Sequence, residues 1–261
     1  MTKIKILSGF SNPGGSTVAF INLCNLFNEN GLDCTFYGPH SWHIDQCNGD
    51  SLGNCAVNEE GEILIMHYLK IPHRPEASKK VILACHEKEV YPIKDVKPFW
   101  DEIIYVSDDQ RKWQGIDGKI IPNVLPPLVD TGIHPKGVAG VIGTIFPPKQ
   151  TRLSIDRALD QGYDKVLLYG NIGDFSYYDR EIKPILSDKV IYMDWEPDKQ
   201  KMYDSVEAVF QTSKSETYGL PKAECLLTNT LYYGTDNCDV DIEIWDNEKI
   251  LKNWKDLLEI K

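Results

Sequence analysis

Short apolar runs recur along the whole chain, and they constrain its fold more than any other feature. They lack the strict alternation of polar and apolar residues that marks a strand with one face in water. Uninterrupted apolar runs of this length suit strands that are buried on both faces of a parallel sheet. The runs cover residues 34–37, 63–66, 81–85, 103–106 and 119–121 in the first half. Further strands are predicted over residues 3–9 before them, and over 138–145, 165–169, 190–193, 208–211 and 231–233 in the second half.

Amphipathic segments separate several of these runs. Residues 17–30 carry apolar side chains over a wide helical face, and Gly31 is placed to end that helix. Further helices are predicted over residues 151–160, 175–186, 199–206 and 247–260. Strands that alternate with helices predict an α/β protein built from doubly wound, Rossmann-like parallel sheets.

The segment 125–137 is rich in proline and glycine and interrupts this alternation. Such a segment is typical of an interdomain linker. We therefore predict a first Rossmann-like domain over residues 1–130, a second over 131–245, and a C-terminal helix over 246–261 that returns to the first domain. Two such domains joined by a hinge predict a cleft between them, where ligands commonly bind.

The net charge and the cysteine content limit which partners and which cellular environment suit this protein. A net charge of −11 argues against a broad, nonspecific binder of polyanions, although it leaves room for a locally basic groove. Seven scattered cysteines, an odd number, indicate a reduced protein rather than a disulfide framework. We see no signal-peptide pattern, and no run approaches the roughly 20 apolar residues of a membrane span. We expect a soluble, cytoplasmic protein.

A glycine-rich loop follows the first strand and contains Gly9, Gly14 and Gly15. No Gly-Lys-Ser or Gly-Lys-Thr ends this loop, so it is not a P-loop, and its glycine spacing does not fit a dinucleotide fingerprint. Both a nucleotide kinase and a dehydrogenase are therefore disfavoured. Either the loop backbone approaches a ligand closely, or the paired glycines serve only as a turn.

The most informative stretch is Ser215-Glu216-Thr217-Tyr218-Gly219-Leu220-Pro221-Lys222-Ala223-Glu224, which is predicted to form a tight loop and the start of a helix. Proline is well tolerated in a first helical turn, and a helix N-terminus suits a phosphate. Carboxylates on either side of a phosphate are more suited to accept hydrogen bonds from hydroxyls. Glu216 and Glu224 therefore point to a sugar nucleotide.

Two histidines, His67 and His86, end apolar runs of the first half. Ligands of open α/β sheets gather outside the carboxyl ends of strands, where both residues are expected. His86, which Glu87 follows, either lines a site or serves only in packing.

A second group of histidines and cysteines resembles a zinc cluster in composition. It comprises His40, His43, Cys47 and Cys55, but its spacing fits no standard set of zinc ligands. We expect no metal site and interpret the segment 41–55 as an irregular polar loop.

The chain resembles the retaining glycosyltransferases with the GT-B fold, specifically those of the family-four type. The most specific likeness is Glu216-Thr217-Tyr218-Gly219-Leu220…Glu224, which matches the Glu-x7-Glu motif of that family. Weaker similarities are Gly14-Gly15 after the first strand, Ile121-Pro122-Asn123 before the linker, and Ile142-Gly143-Thr144…Lys149 at the start of the second domain.

The resemblance implies a site. Glu216 would contact the donor sugar, Lys149 would neutralise the diphosphate leaving group, and His86 would approach the donor from the first domain, so these three are the expected catalytic residues. The expected donor-binding residues are Gly14, Gly15, Thr144, Arg152, Asp194, Trp195, Gly219, Leu220 and Glu224. Thr144 stands where the family usually has arginine, so Arg152 or another basic residue would have to supply the second cation.

The resemblance also implies a mechanism. The sugar would pass from a nucleotide diphosphate, expected to be UDP, to an acceptor hydroxyl with retention of configuration. The leaving phosphate would help to deprotonate that hydroxyl, so neither a metal nor a further cofactor is expected.

The acceptor is less constrained. Residues 67–97 contain seven Lys or Arg against four Asp or Glu, which describes either a solvated face or a groove for a phosphate backbone. We assign His67, Lys70 and Arg74 to the acceptor side. Residues 9–17 are similar to bacteriophage enzymes that glycosylate hydroxymethylcytosine, so double-stranded DNA in the host cytoplasm is the first expectation.

Two alternatives stay open. One is transfer to a saccharide or a lipid-linked acceptor, and the other is a non-catalytic module that binds sugar nucleotides or nucleic acid. The presence of Glu216, Glu224 and Lys149 together argues against the non-catalytic module.

Overall fold

A computed structural model describes residues 2–9, 14–39, 44–67, 74–87 and 99–260 of the chain. Two compact units are present. The first comprises Met1–Val124 together with Asp241–Lys261, and the second is Leu125–Val240.

All of the described strands belong to two sheets, one in each unit. The strands are β1 Lys3–Ser8, β2 Asp33–Gly38, β3 Gly49–Ser51, β4 Ile63–His67, β5 Lys80–Cys85, β6 Glu102–Tyr105, β7 Lys119–Ile120, β8 Val138–Ile142, β9 Lys165–Tyr169, β10 Val190–Asp194, β11 Ala208–Gln211 and β12 Leu231–Gly234. The α-helices are α1 Gly15–Glu29, α2 Asp108–Gln114, α3 Thr151–Asp160, α4 Phe175–Tyr177, α5 Lys199–Tyr203, α6 Leu220–Thr228 and α7 Asn247–Leu258. Short 3₁₀ turns lie at Ile44–Gln46, Leu52–Asn54, Pro147–Lys149, Lys183–Ile185 and Asp236–Cys238, and a π-turn lies at Tyr178–Ile182.

The first unit contains a seven-stranded parallel sheet with the order β3-β2-β1-β4-β5-β6-β7. Successive residues of its strands enter two separate apolar clusters. In β4, Ile63 and Ile65 join the cluster that contains α1 and α7, whereas Leu64 and Met66 join the cluster on the opposite face. Burial on both faces explains why the run at residues 63–66 is apolar throughout instead of alternating.

The C-terminal helix α7 packs within the first unit. Trp254 meets Phe27 of α1 edge to face, with ring centroids 5.9 Å apart. Asp246 caps the N-terminus of the helix by accepting from the Lys249 N–H, and Lys80 donates to the Leu257 carbonyl at its C-terminus. Each end of α7 therefore has a side-chain partner.

The second unit contains a five-stranded parallel sheet with the order β10-β9-β8-β11-β12. Its strands are also buried on both faces. Val166, Leu168 and Phe210 belong to one cluster, and Leu167 and Val209 to the other. The predicted α/β fold with two parallel sheets is confirmed.

Three local features differ from the sequence prediction. The segment 41–55, expected to be irregular, contributes the short edge strand β3, and α2 was not predicted. Residues 175–186 were expected to be mostly helical, but they form one α-turn followed by π and 3₁₀ turns. Pro184 lies in the last of these turns, and proline cannot donate the hydrogen bond that a continuing α-helix needs.

Candidate functional site

Each sheet has one place where the chain order reverses. It lies between β1 and β4 in the first unit and between β8 and β11 in the second. At such a point the connections leave in opposite directions and open a crevice outside the carboxyl ends of the strands. We call the carboxyl ends of β1 and β4, with that of the adjacent β5, the first switch edge, and those of β8 and β11 the second switch edge.

Hydrogen bonds tie together the two loops of the second switch edge. The Thr212 hydroxyl, just beyond β11, donates to the Gln150 carbonyl at 3.0 Å and lies 2.8 Å from the Ser154 hydroxyl. The Lys214 N–H donates to the Pro148 carbonyl at 2.9 Å. These contacts fix the segment that carries Lys149 against the loop that leads to Glu216.

Lys149 and Glu216 form an ion pair at this edge. The Lys149 ammonium lies 2.5 Å from Glu216 Oε1, and the same oxygen accepts from Gln211 Nε2 at 2.7 Å. Gln211 Oε1 in turn accepts from the Tyr232 hydroxyl at 2.7 Å. The side chain of Lys149 is 32% exposed and that of Glu216 is 11% exposed, so a ligand can reach the lysine.

The turn before α6 leads into a helix whose N-terminus has free N–H groups. Gly219 has φ 72° and ψ 62°, a left-handed conformation that glycine adopts without strain. Helix α6 begins at Leu220, and Pro221 occupies its first turn. The N–H groups of Leu220 and Lys222 precede the first intrahelical bond, from Ala223 to the Gly219 carbonyl, so they point out of the helix end. This end attracts anions.

Glu224 is buried within α6, with 1% of the residue exposed. Its Oε2 accepts from the Tyr203 hydroxyl at 2.6 Å and from the Lys199 ammonium at 3.4 Å. Burial, reinforced by the Glu224 charge, raises the pKa of Tyr203 well above its ordinary value, so the hydroxyl remains a donor. Neither of these two hydrogen bonds uses Glu224 Oε1.

The end of β10 lies in a special backbone conformation. Asp194 has φ 63° and follows a register shift in the pairing with β9. Its Oδ1 accepts from the Trp195 N–H at 2.8 Å and from the Tyr192 hydroxyl at 3.0 Å. Lys199 lies 5.8 Å from the Trp195 ring centroid. Left-handed non-glycine residues are uncommon and concentrate at functional sites.

Two predicted donor-binding residues occupy different surroundings. Thr144 follows β8 closely and is 9% exposed at the second switch edge. Arg152 lies on α3, where its guanidinium contacts the Asp156 carboxylate at 2.9 Å and donates to the Glu181 carbonyl at 3.3 Å. The Arg152 charge is therefore already engaged. Lys199 places a basic group beside Glu224 that the sequence did not assign to the site.

The first switch edge contains a chain of three polar side chains. The register of β1 and β4 sets Ser8 opposite His67, and the Ser8 hydroxyl lies 2.9 Å from His67 Nδ1. His67 Nε2 lies 2.5 Å from the Glu87 carboxylate. Ser8 and His67 are each 1% exposed, whereas the Glu87 side chain is 30% exposed. The carboxylate is thus the accessible end of a buried pair.

His86 lies beside this chain. Its ring centroid is 4.3 Å from that of Phe20 and 5.5 Å from that of His67. Burial, together with repulsion from His67, lowers the pKa of His86 to about 3, so its imidazole is neutral at physiological pH.

Helix α1 begins at Gly15, with the extended Gly14 as its N-cap and no side-chain cap. Ser16, in the first turn, contributes to holding the pKa of Glu87 below its ordinary value. The predicted glycine pair therefore lies at the first switch edge, next to a carboxylate.

The three predicted acceptor-side residues do not come together in one site. His67 is buried in the first switch edge, and Lys70 lies outside the described residues. Arg74 is held by Asp101 through a contact of 2.6 Å.

Of the zinc-like group, His40 and His43 also lie outside the described residues. Across the described ranges, no three histidine, cysteine, aspartate or glutamate side chains converge as metal ligands would. Nor does any helix in these ranges have the length and apolar composition of a membrane span.

Several solved structures are similar to this chain. HepE from Anabaena, solved with UDP and glucose, matches with a TM-score of 0.68 at 15% identity over 89% of this chain and 80% of its own. AviGT4, a glycosyltransferase of avilamycin A biosynthesis, matches with 0.63 at 15% identity over 97% and 88%. A point mutant of TarM from S. aureus, solved with Fondaparinux, alpha-GlcNAc-glycerol and UDP, matches with 0.68 at 10% identity over 99% and 93%.

The chain has the GT-B fold. No protein-family model matches the sequence, and no curated protein is significantly similar to it. At identities of 10–15% the structural likeness establishes the fold alone.

The GT-B comparison does not extend to individual side chains, and several site residues were not assigned from the sequence. These are Ser8 and Glu87 in the first unit, and Lys199, Tyr203 and Gln211 in the second. One signal was present, because Lys199 and Tyr203 are four residues apart and so share one face of a helix. The others depend on strand register and loop packing, which a single sequence does not display.

Proposed function

We propose that this chain is a glycosyltransferase that moves a sugar from a nucleotide diphosphate to an acceptor hydroxyl. The observation that carries this proposal is the second switch edge of a GT-B fold. There an accessible lysine paired with Glu216 and a buried Glu224 flank the open N-terminus of α6.

Each group has a role that its chemistry suits. The α6 N-terminus and Lys149 bind the diphosphate, whose negative charge grows as the sugar leaves. Glu216, released from Lys149 by the incoming phosphate, accepts hydrogen bonds from the donor sugar. Glu224 accepts from the ribose through Oε1, while the segment Asp194-Trp195 faces the base.

UDP is the proposed nucleotide. HepE has been solved with UDP-glucose, and the TarM mutant with UDP. Transfer with retention of configuration and without a metal is proposed from the resemblance of residues 216–224 to the family-four motif. In this proposal Lys149 and the helix end supply the electrostatic stabilisation of the leaving group.

For the acceptor, we propose first 5-hydroxymethylcytosine in DNA, on the similarity of residues 9–17 to the phage enzymes. The alternative is a saccharide or a lipid-linked hydroxyl. This alternative is favoured because the described basic residues of the segment 67–97 already have acidic or carbonyl partners. Arg74 pairs with Asp101, Lys80 pairs with Glu259, and Lys79 lies within 3.5 Å of the Leu258 carbonyl. Such contacts leave less charge for a phosphate backbone.

Thermal-shift measurements with UDP and UDP-glucose test the donor site, because a ligand that binds only the native state raises the melting temperature. UDP release is then followed with hydroxymethylated duplex DNA, with unmodified duplex DNA as its matched control, and with methyl glucoside. NMR of the product reports the anomeric configuration. Binding without UDP release under any condition would instead favour a non-catalytic module, and no shift with either nucleotide would contradict the proposal.

A further inference from the structure

Lys199 is a second cation beside the proposed donor-binding residues of the second unit. It is the first residue of the short helix α5, and its ammonium lies 3.4 Å from Glu224 Oε2. The same ammonium lies 5.8 Å from the centroid of the Trp195 ring. All three residues belong to one unit of the fold. Lys199 therefore lies between the carboxylate that is proposed to bind the ribose and the segment that is proposed to face the base.

Two donors meet at Glu224 Oε2, and they differ in how tightly they hold it. The Tyr203 hydroxyl donates at 2.6 Å and the residue is fully buried, so it fixes the carboxylate from the protein side. The Lys199 contact at 3.4 Å is longer than the roughly 2.7–2.9 Å of a close charge-assisted hydrogen bond. The Lys199 side chain is 19% exposed, whereas that of Glu224 is 2% exposed. Lys199 is therefore the accessible and loosely held member of the pair.

The pair offers an acceptor and donors to the same ligand atom. A carboxylate only accepts hydrogen bonds, and an ammonium only donates them through its three N–H groups. The contact with Glu224 uses one of those three. A ligand atom that meets both side chains must donate and accept at once. A hydroxyl does so, whereas a phosphate is repelled by the carboxylate and a second ammonium is repelled by the lysine.

We propose that Lys199 is a specificity-determining residue of the donor site, which donates to the same ribose hydroxyl that donates to Glu224 Oε1. This inference rests on the proposed function and names the part of the donor that the two side chains recognise. Because Oε1 and Oε2 belong to one carboxylate, a hydroxyl on Oε1 lies within reach of the ammonium at Oε2. The site then selects ribonucleoside diphosphates over nucleotides that lack this hydroxyl.

A general attraction between the Lys199 charge and the diphosphate is a separate effect. It acts equally on UDP and on a deoxynucleotide, because both carry the same phosphate charge. A hydrogen bond to the ribose, by contrast, changes the preference between the two ligands. The ratio of their dissociation constants therefore reports the proposed contact, and effects of charge or of folding cancel from that ratio.

Lys201 offers a matched control on the same helix. Its ammonium pairs with Glu196 at 2.6 Å, and its side chain is 71% exposed. Replacing either lysine with methionine removes one positive charge and keeps most of the apolar stem. It is Lys199, however, that contacts Glu224.

Isothermal titration measures the Kd of UDP, 2′-deoxy-UDP and 3′-deoxy-UDP for the wild type and each variant. The wild type should bind UDP at least about 100-fold more tightly than the analogue without the shared hydroxyl, which loses two hydrogen bonds to charged groups. Lys199→Met should weaken UDP binding about tenfold and change the Kd of that analogue by less than about twofold. Lys201→Met should bind every ligand as the wild type does.

The Glu224→Gln background separates a direct contact from an indirect one. If Lys199 only orients the carboxylate, its removal costs nothing further once that carboxylate is replaced. If Lys199 donates to the ribose itself, Lys199→Met should weaken UDP binding again by about tenfold in this background. Titration followed by NMR measures the weaker dissociation constants of these variants.

Turnover gives a further readout of the same contact. The ribose is remote from the bond that breaks, so its hydrogen bonds are equal in the ground state and in the transition state. Lys199→Met should therefore raise KM for UDP-glucose about tenfold and change kcat by less than about twofold. A fall in kcat with an unchanged KM would place Lys199 at the leaving group and overturn the inference.

The outcomes separate this inference from the proposed function. If Lys199→Met weakens all of the ligands equally, or costs nothing further in Glu224→Gln, the role of Lys199 in specificity is overturned while UDP binding stands. A wild-type chain that binds none of the ligands would overturn the proposed function, and this inference with it. Thermal melts verify that each variant is folded, and Lys199→Ala takes the place of Lys199→Met if the methionine variant does not fold.

Discussion

At the first switch edge a carboxylate is oriented by a buried serine–histidine pair, whereas at the second switch edge each carboxylate meets a lysine. Glu87 has His67 behind it, while Glu216 contacts Lys149 and Glu224 contacts Lys199. The first arrangement places a histidine, and no lysine, behind its carboxylate. The second places cations beside the carboxylates and suits a ligand that carries both hydroxyls and phosphates. Equivalent positions in two similar sheets thus support different chemistry.

The comparison of the two switch edges predicts that Lys149→Ala has the largest effect on kcat. Removing one group that stabilises the developing charge of a leaving group costs about 10²–10³ in kcat. Lys183→Ala is the matched control, because Lys183 pairs with Asp179 at 3.3 Å on the surface of the same unit, with a side chain that is 66% exposed. Steady-state UDP release measures both variants, and a Lys149→Ala enzyme with wild-type kcat would break the assignment of Lys149 to the leaving group.

The next effect concerns stability at the first switch edge. The pKa of His86 is about 3 in the folded state and about 6.5 when unfolded, so the unfolded chain binds more protons between these values. Stability from a neutral His86 is therefore complete above pH 6.5 and is lost as the pH falls below it. At pH 5 this contribution has fallen by up to about 2 kcal/mol.

Urea unfolding of wild type and His86→Gln at pH 7.5 and pH 5 isolates that contribution. The wild type should lose more stability than the variant on acidification, because only the wild type has an imidazole to protonate. Equal losses would show that burial does not keep the His86 imidazole neutral at the first switch edge.

A smaller effect is expected from Gln211→Leu. Gln211 is 6% exposed and connects Tyr232 to Glu216, so its loss frees the Glu216 carboxylate to rotate. It also removes the nearer acceptor of the half-buried Tyr232 hydroxyl, which then keeps only the Cys238 carbonyl at 3.4 Å. Hydrogen bonds to charged groups contribute about 1.5–3 kcal/mol, part of which Lys149 retains, so kcat should fall about tenfold. The exposed Gln161 on the same unit serves as the control, as Gln161→Leu. A Gln211→Leu variant with unaltered kcat but lower melting temperature would make the residue structural only.

The sequence predicted the fold more completely than the site, and the reason is physical. Burial on both faces leaves an uninterrupted apolar run in the sequence itself, so most strands were found within one or two residues. The motif at Glu216 to Glu224 was equally visible, because its glycine, proline and carboxylates lie in one continuous loop and helix. By contrast, β3 has the sequence Gly-Asp-Ser and is held by pairing with β2, which a local pattern does not display.

Contacts between distant segments account for what was missed at the site. Ser8 and His67 meet because of the parallel register of β1 and β4, and Glu87 reaches them from the end of β5. Arg152 seemed a natural replacement for the missing arginine at position 144, but its partners Asp156 and Glu181 come from helical packing. The pairing of Lys199 with Glu224 likewise needs α5 and α6 side by side.

Isothermal titration of UDP into wild type, Glu224→Gln and Glu87→Gln tests most directly the claim that the second switch edge holds the donor. Glu224→Gln should weaken UDP binding roughly 10- to 150-fold, which corresponds to the loss of a charged hydrogen bond of about 1.5–3 kcal/mol. Glu87→Gln should bind UDP with the wild-type Kd. Equal weakening in both variants, or unchanged binding in Glu224→Gln, would contradict the division of chemistry between the two edges.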